Sequence, residues 1–292
     1  MVSERCTVWW ADMARAPISP ALIRLDGDEW VQRSRYRFAS DADRFVYRRV
    51  LTRMVVAQAA GVAPAELTLS RHCSLCGHPT HGKPRIVNPG CDLEFSVART
   101  GTVVAIAFAS GSEVGVDIER MSDDSHTEVR GTLQTWTRKE SLLKAIGVGL
   151  AIDPNEVHVS EPRQKPAVTH IPRQFGEPGA FRLCELLLRP DIIGHVCLSG
   201  AEPDVVLHDA SYLVSADHGP ALLRWPTSGY TSGALLLQGL PRGQAGKDVQ
   251  HDSGDDAQRL DVDEAQEALP THHGYRCHGP EGQQGAHADR ER

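Results

Sequence analysis

The sequence predicts an α+β fold, and three observations predict it. Strand signals and helical stretches are interspersed over the first 214 residues without the regular beat of a doubly wound sheet. Apolar residues make up 40% of the 292 residues, and the 26 glycines bring the chain to the composition of an ordinary folded protein, enough to bury a sizeable core. Beyond residue 214 the apolar periodicity stops, so the folded body is expected to end there.

The elements follow in order. Val8–Ala11 (VWWA) reads as a short strand. Residues 33–60 read as one long helix: Phe45, Val46, Arg49, Val50, Arg53, Met54 and Ala57 recur three or four apart, and Gly61 stops it. Glu94–Val97 and Thr102–Ala109 read as two strands joined by a turn at Arg99–Gly101, and Val114–Glu119 as a third. Trp136–Ile146 reads as a helix ended by Gly147. Val157–Ser160, Phe181–Leu188 and His195–Ser199 are the later strands.

Several function classes are excluded. The longest apolar run, Val103–Ala109, is far short of the roughly 18–20 residues that span a bilayer. The start, MVSERCTVWW, has no apolar core of a signal peptide. Seven cysteines do not make a disulfide framework, so reduced thiols, a cytoplasmic location and no membrane are expected. Residues 1–214 carry 24 Lys+Arg against 26 Asp+Glu, and residues 215–292 carry 7 against 12. Neither part has the basic footprint of nucleic-acid binding. The tail, rich in Gly, Gln, His and Asp, is expected to be disordered, because it has too little apolar surface to offset its chain entropy.

Three clusters can carry chemistry. In Gly115-Val116-Asp117-Ile118-Glu119, strand alternation puts Asp117 and Glu119 on one face with Val116 and Ile118 opposite. Two adjacent carboxylates suit a hard divalent cation, Mg²⁺ first, although a solvated strand face reads the same way. In the stretch from Trp136 to Ala145, Glu140 and Lys144 share a helical face, which also describes a surface ion pair. Gly82-Lys83-Pro84 presents a lysine on a rigid, extended element. The chain has five lysines against 26 arginines, and Lys83, Lys139 and Lys144 all fall inside these clusters, which hints at positions where a compact ammonium is wanted.

Together the clusters resemble the Sfp-type 4′-phosphopantetheinyl transferases. GVDIE (Gly115–Glu119) followed by WxxKExxxK (Trp136–Lys144) is that family's signature. Gly82-Lys83-Pro84, the DADRF stretch around Arg44, Phe95-Ser96-Val97 and Gly147-Val148-Gly149-Leu150 match its supporting pieces in the correct order. The resemblance implies two similar α/β halves, 1–110 and 111–214, with a cofactor cleft between them, followed by the tail 215–292. It also implies transfer of the phosphopantetheine arm of coenzyme A to a serine of an acyl or peptidyl carrier protein, Mg²⁺-dependent, by a monomer that releases 3′,5′-ADP. Asp117, Glu119 and Glu140 would hold Mg²⁺. Lys144 would neutralise phosphate charge, and Glu140 would take the serine proton directly or through water. Lys83, Arg44, Arg53 and Arg37 would contact the phosphates of coenzyme A.

The chain departs from the family at two places. Ala98-Arg99 stands where the family has Ser-His; Arg99 can supply charge to a phosphate but cannot shuttle a proton. Residues 120–135 are polar and lack the family's F-[FS]-x-x-E helix, which leaves open a non-catalytic coenzyme A- or carrier-binding relative. A third reading rests on Cys73 and Cys76 with His81 and Cys91, which can bind Zn²⁺, or can be inert thiols or a loop.

Overall fold

Period-two alternation opens the fold. Cys6, Val8 and Trp10 of β1 (Arg5–Asp12) face one core, while Trp9 and Ala11 face another. The computed structural model describes residues 5–71, 77, 82–121, 127–200 and 203–214, all within one compact unit.

Helix α1 (Gly27–Ser34) starts with a capping box, in which the Asp26 side chain accepts from the Glu29 amide and the Glu29 side chain accepts from the Asp26 amide. Helix α2 (Ala39–Ala60) ends at Gly61, whose φ of 69° is the left-handed conformation of a C-terminal glycine. The single helix expected over 33–60 is therefore two. The chain leaves the helix at Arg35 and re-enters after Phe38, which is extended, and Tyr36 folds back onto Phe45 with ring centroids 5.5 Å apart.

Strands β2 (Thr68–Ser70) and β3 (Arg85–Asn88) pair with each other. Strands β4 (Leu93–Thr100) and β5 (Val103–Ser110) form a hairpin turning at Gly101, φ 53°. The strand thus runs through Arg99 and Thr100, later than the expected turn. Every residue of β5 but the last is buried, as a strand covered on both faces must be. Strand β6 (Val114–Arg120) leads toward α3 (Thr127–Ile146). That helix begins nine residues before Trp136, within the polar stretch that lacks the family's F-[FS]-x-x-E motif. Hydroxyls of Thr132 and Thr135 bond back onto its carbonyls, and Gly131 lies against Pro162.

Strands β7 (His158–Val159) and β8 (Val168–His170) make a small hairpin, β9 (Phe181–Leu186) and β10 (Ile192–Ser199) a larger one, and β11 (Asp204–Asp209) and α4 (Ser211–Val214) close the described chain. The first sheet has the order β11-β1-β5-β4 and the second β6-β10-β9. Strand β11 returns to the first sheet, parallel to β1, so that sheet draws on both ends of the described chain.

The layers are α2 and α4, the first sheet, the second sheet, then α3. Cys6, Val8, Val103, Ala105 and Ala107 meet Val116, Ile118, Val196 and Leu198 between the sheets. Leu51, Val55 and Leu213 cover the outer face of the first sheet, and Leu142, Leu143 and Ala145 that of the second. Where β4 runs alongside β6, side chains replace the ladder: the Val116 amide donates to Ser96 Oγ (3.1 Å) and the Arg120 amide to Thr100 Oγ1 (3.0 Å). Among the described residues, no helix is long and apolar enough to cross a membrane.

Candidate active site

Gly115 sets the geometry. A Cβ there would lie 2.0 Å from the Ser141 carbonyl oxygen and 2.3 Å from the Ala145 nitrogen, so the backbone of α3 rests directly on β6. Only glycine permits that approach. Two residues on, on the same strand face, Asp117 meets the last turn of the helix, where Lys144 Nζ donates to Asp117 Oδ1 at 2.6 Å. Glu119, two residues further, accepts from Thr100 Oγ1 at 3.3 Å. Glu140 lies one turn before Lys144 on α3 and is 9% exposed.

These groups form one electrostatic unit. Burial raises the Asp117 carboxyl above its usual range, and Lys144 pulls it back only in part. Burial also raises Glu140, with Lys144 opposing and Asp117 adding. Glu119 is pushed up to about 7, by burial first and by Asp117 next, with a further contribution from Glu140. Asp117 raises both glutamates, and one ammonium serves all three carboxylates. Asp117 Oδ2 and Glu140 Oε1 are buried with no hydrogen-bond partner. Such an arrangement invites a cation with oxygen ligands. Even so, among the described residues no group of three or more His, Cys, Asp or Glu is arranged to hold a metal ion.

The cations expected to meet coenzyme A divide into two kinds. Lys83, with a 6% exposed side chain, is ion-paired with Glu94 (3.2 Å) and Glu113 and donates to the Ala145 carbonyl (3.3 Å). Its position ties the strands to the negative end of α3. Arg44 pairs with Asp41 at 3.0 Å, and Arg53 reaches the Leu67 carbonyl (3.3 Å) and Glu29 (3.6 Å). Arg99 joins a different group. Arg48 is pushed down to about 9 by burial and then by Arg49, Arg71 and Arg99, and no carboxylate enters its balance. Arg71 is pushed down to about 10, by burial and Arg49, with only Glu29 offsetting. Positive charge is thus concentrated here and only partly offset by carboxylates. The sequence pointed to the helix that carries Arg48 but chose Arg44 and Arg53 on it; Arg71 had no motif to reveal it.

Sequence reasoning also missed a second buried polar set under α3. Arg138 is 1% exposed, yet every side of its guanidinium is satisfied. Nε donates to His195 Nε2 (3.3 Å), Nη1 to the carbonyls of Ser160 (2.7 Å) and Glu161 (2.8 Å), and Nη2 to those of Pro162 (3.1 Å) and Gln164 (3.2 Å). His195 Nδ1 therefore carries the proton and donates to Thr137 Oγ1 (2.8 Å), which donates to the Leu133 carbonyl (2.9 Å). Burial and Arg138 hold the His195 ring neutral by lowering its pKa to about 3. Lys139 Nζ meanwhile holds the Pro154 carbonyl at 2.8 Å. The only sequence signal was an arginine in the middle of a motif helix.

Cys73, Cys76 and His81 lie outside the described residues, as do 122–126 and 215–292; Cys91 is exposed. The zinc and tail readings therefore have no structural account.

Comparison with known proteins agrees with the motifs. A family profile described as the 4′-phosphopantetheinyl transferase superfamily matches residues 121–187, which take in α3 and the hairpin it holds. A candidate 4′-phosphopantetheinyl transferase of Synechocystis sp. is 26% identical over 178 residues, covering 51% of this chain and 68% of that protein. A phosphopantetheinyl transferase of Thraustochytrium sp. is 27% identical over 177 residues, covering 48% of this chain and 58% of that protein, less than two thirds of its length. The chain is thus similar to the 4′-phosphopantetheinyl transferase superfamily, over a stretch that takes in its WxxKExxxK motif.

Proposed function

We propose that the protein is an Sfp-type enzyme that transfers the 4′-phosphopantetheine arm of coenzyme A to a serine of an acyl or peptidyl carrier protein. The observation that carries this reading is the pair of buried, unpartnered carboxylate oxygens on Asp117 and Glu140 beside Lys144. Burying an unsatisfied carboxylate oxygen is costly, so two of them beside one ammonium favour a ligand that satisfies them.

The donors are all oxygen, the chemistry Mg²⁺ prefers, and Asp117, Glu140 and Glu119 would hold it once their side chains turn toward a common point. Bound there, the ion would offset charge developing on the pyrophosphate. The chain's own residues supply the rest. Arg48, Arg71 and Arg99 receive phosphate of coenzyme A, and Lys144 neutralises the group that reacts. Glu140, whose basicity burial raises, accepts the proton of the serine hydroxyl. The serine oxygen forms a bond to phosphorus, the pyrophosphate bond breaks, and 3′,5′-ADP leaves.

The non-catalytic alternative drew on the short segment 120–135. Nine of those residues, Thr127 to Thr135, continue the motif helix, which weakens that reading. The test is mass spectrometry of an apo carrier protein incubated with the protein, coenzyme A and Mg²⁺. A gain of one phosphopantetheine is expected. An unchanged mass across fatty-acid, polyketide and peptide carriers, with coenzyme A still bound, would favour the non-catalytic reading.

A further inference from the structure

The β7–β8 hairpin carries two histidines that the transfer chemistry does not use. His158 and His170 are direct cross-strand partners, and both are exposed. Their ring centroids lie 5.3 Å apart with planes at 67°, so the rings meet edge to face instead of stacking. A tetrahedral ion about 2.0–2.1 Å from one nitrogen of each ring sets the ring centres roughly 5 Å apart. The observed spacing is thus one that a chelating pair can adopt, once the two rings turn a nitrogen each toward a common point.

The backbone that presents the rings is fixed without any ion. Arg138 binds the hairpin loop through the carbonyls of Ser160, Glu161, Pro162 and Gln164. The Ser160 hydroxyl donates to the Lys165 carbonyl and accepts from the Ala167 amide, closing the loop from within. Val168, two residues before His170 on β8, is anchored in the core under α3. The two imidazoles thus start near their bound separation, which lowers the ordering cost of chelation.

We propose that His158 and His170 form a two-histidine site for a divalent transition ion, Zn²⁺ first, with water completing the shell. Imidazole suits Zn²⁺ and Cu²⁺, whereas Mg²⁺ prefers oxygen, so this site and the carboxylate cluster select different ions. A bound ion clips a two-residue strand to a three-residue strand on the hairpin that α3 holds.

The chain has other histidines and cysteines, so the test reads each residue separately. The full-length protein is treated with diethyl pyrocarbonate, which acylates free imidazole, across a ZnCl₂ series, and each histidine is followed by peptide mass spectrometry. Both His158 and His170 should be protected along one shared curve, with MgCl₂ giving no protection. Because the second ring binds intramolecularly, H158Q should raise the Zn²⁺ needed to protect His170 by about a hundredfold, and H170Q should do the same for His158. Both side chains are exposed, so neither variant threatens the fold. Equal protection of the remaining ring in the single variants, or none in the parent protein, would overturn the site and leave an edge-to-face aromatic pair.

Discussion

Two buried polar groups lie under the same helix, and they differ in one respect. At Arg138 every donor has an acceptor, and the charge is spread over four loop carbonyls and a neutral histidine. At Asp117 on β6 and at Glu140, which follows Arg138 within the same turn of α3, one oxygen of each carboxylate has nothing to bond. A closed set holds the fold together, whereas an open set stores unfavourable energy that a ligand can release. The difference sorts the motif helix by contact: Thr137, Arg138 and Lys139 fasten it to its surroundings, and Glu140 and Lys144 are the residues to which the proposed function gives the chemistry.

The sharpest way to break the comparison is to substitute on each side. Asp117→Ala or Glu140→Ala should lower transfer by about 10³-fold or more, the scale of losing several kcal/mol of transition-state stabilisation. Glu140→Ala should leave the melting temperature unchanged or raise it, since an unsatisfied buried carboxylate is removed, whereas Asp117→Ala also takes the partner of Lys144 and should lower it modestly. Transfer assays and calorimetry on the same preparations decide; near-parent activity in either variant rules out the carboxylate cluster as the reacting site.

The closed set should respond the opposite way. Arg138→Met removes a cation from a cage of carbonyls and strands His195 Nε2 without its donor. Unfolding stability should fall by about 3 kcal/mol, the usual cost of breaking a buried polar network from one side. Denaturant melts measure this, and a loss below about 1 kcal/mol would mean that the carbonyls find water and the cage is not structural.

The open set also makes a prediction about pH. Glu119 titrates at about 7 in the folded protein against 4.5 ordinarily. Between those values the folded state keeps a proton that the unfolded state has shed, so stability falls as pH rises across that window. Burial shifts Asp117 and Glu140 in the same direction. Under the proposed function a divalent cation would bind the ionised carboxylates and cancel the penalty. Mg²⁺ should therefore raise the melting temperature clearly near pH 8 and little near pH 5, and the gain should vanish in Asp117→Ala. An equal shift at both pH values would place the ion elsewhere.

What the sequence could show follows from what periodicity encodes. The strands β4 and β6 and the helix α2 were legible because their apolar residues repeat at the period of the element, and β5 because it is a short continuous apolar run bounded by turns. The break at Arg35–Phe38 was not, since Tyr36 and Phe45 hold it through a contact that no local pattern records. The start of α3 at Thr127 was hidden because its first two turns are polar and the helix is stabilised by packing further along. The parallel pairing of β11 with β1 joins residues some two hundred positions apart. In the site, the motif carboxylates and Lys144 were readable at the level of single residues. Arg138 was not, because an arginine in a helix reads as exposed until its carbonyl partners are folded around it.

The smallest expected effect falls on the arginine group, and it tests whether open and closed are the right categories for cations too. Lys83 is closed: two carboxylates and a carbonyl occupy its ammonium. Arg48 is open, depressed by burial and by like charges that include Arg99. If openness marks a ligand site, Arg99→Ala should weaken coenzyme A binding by about tenfold, the worth of one charge-assisted hydrogen bond. Arg99→His should restore most of it, because a histidine can also donate to phosphate. Lys83→Met, by contrast, should act mainly on stability, since it leaves Glu94 and Glu113 facing each other across the seam that the lysine bridges. Calorimetric titration with coenzyme A separates the two. A larger loss of affinity from Lys83→Met than from Arg99→Ala, at unchanged stability, would mean that Lys83 exchanges its carboxylates for phosphate when the ligand arrives, and that saturation in the free protein does not mark a residue as structural.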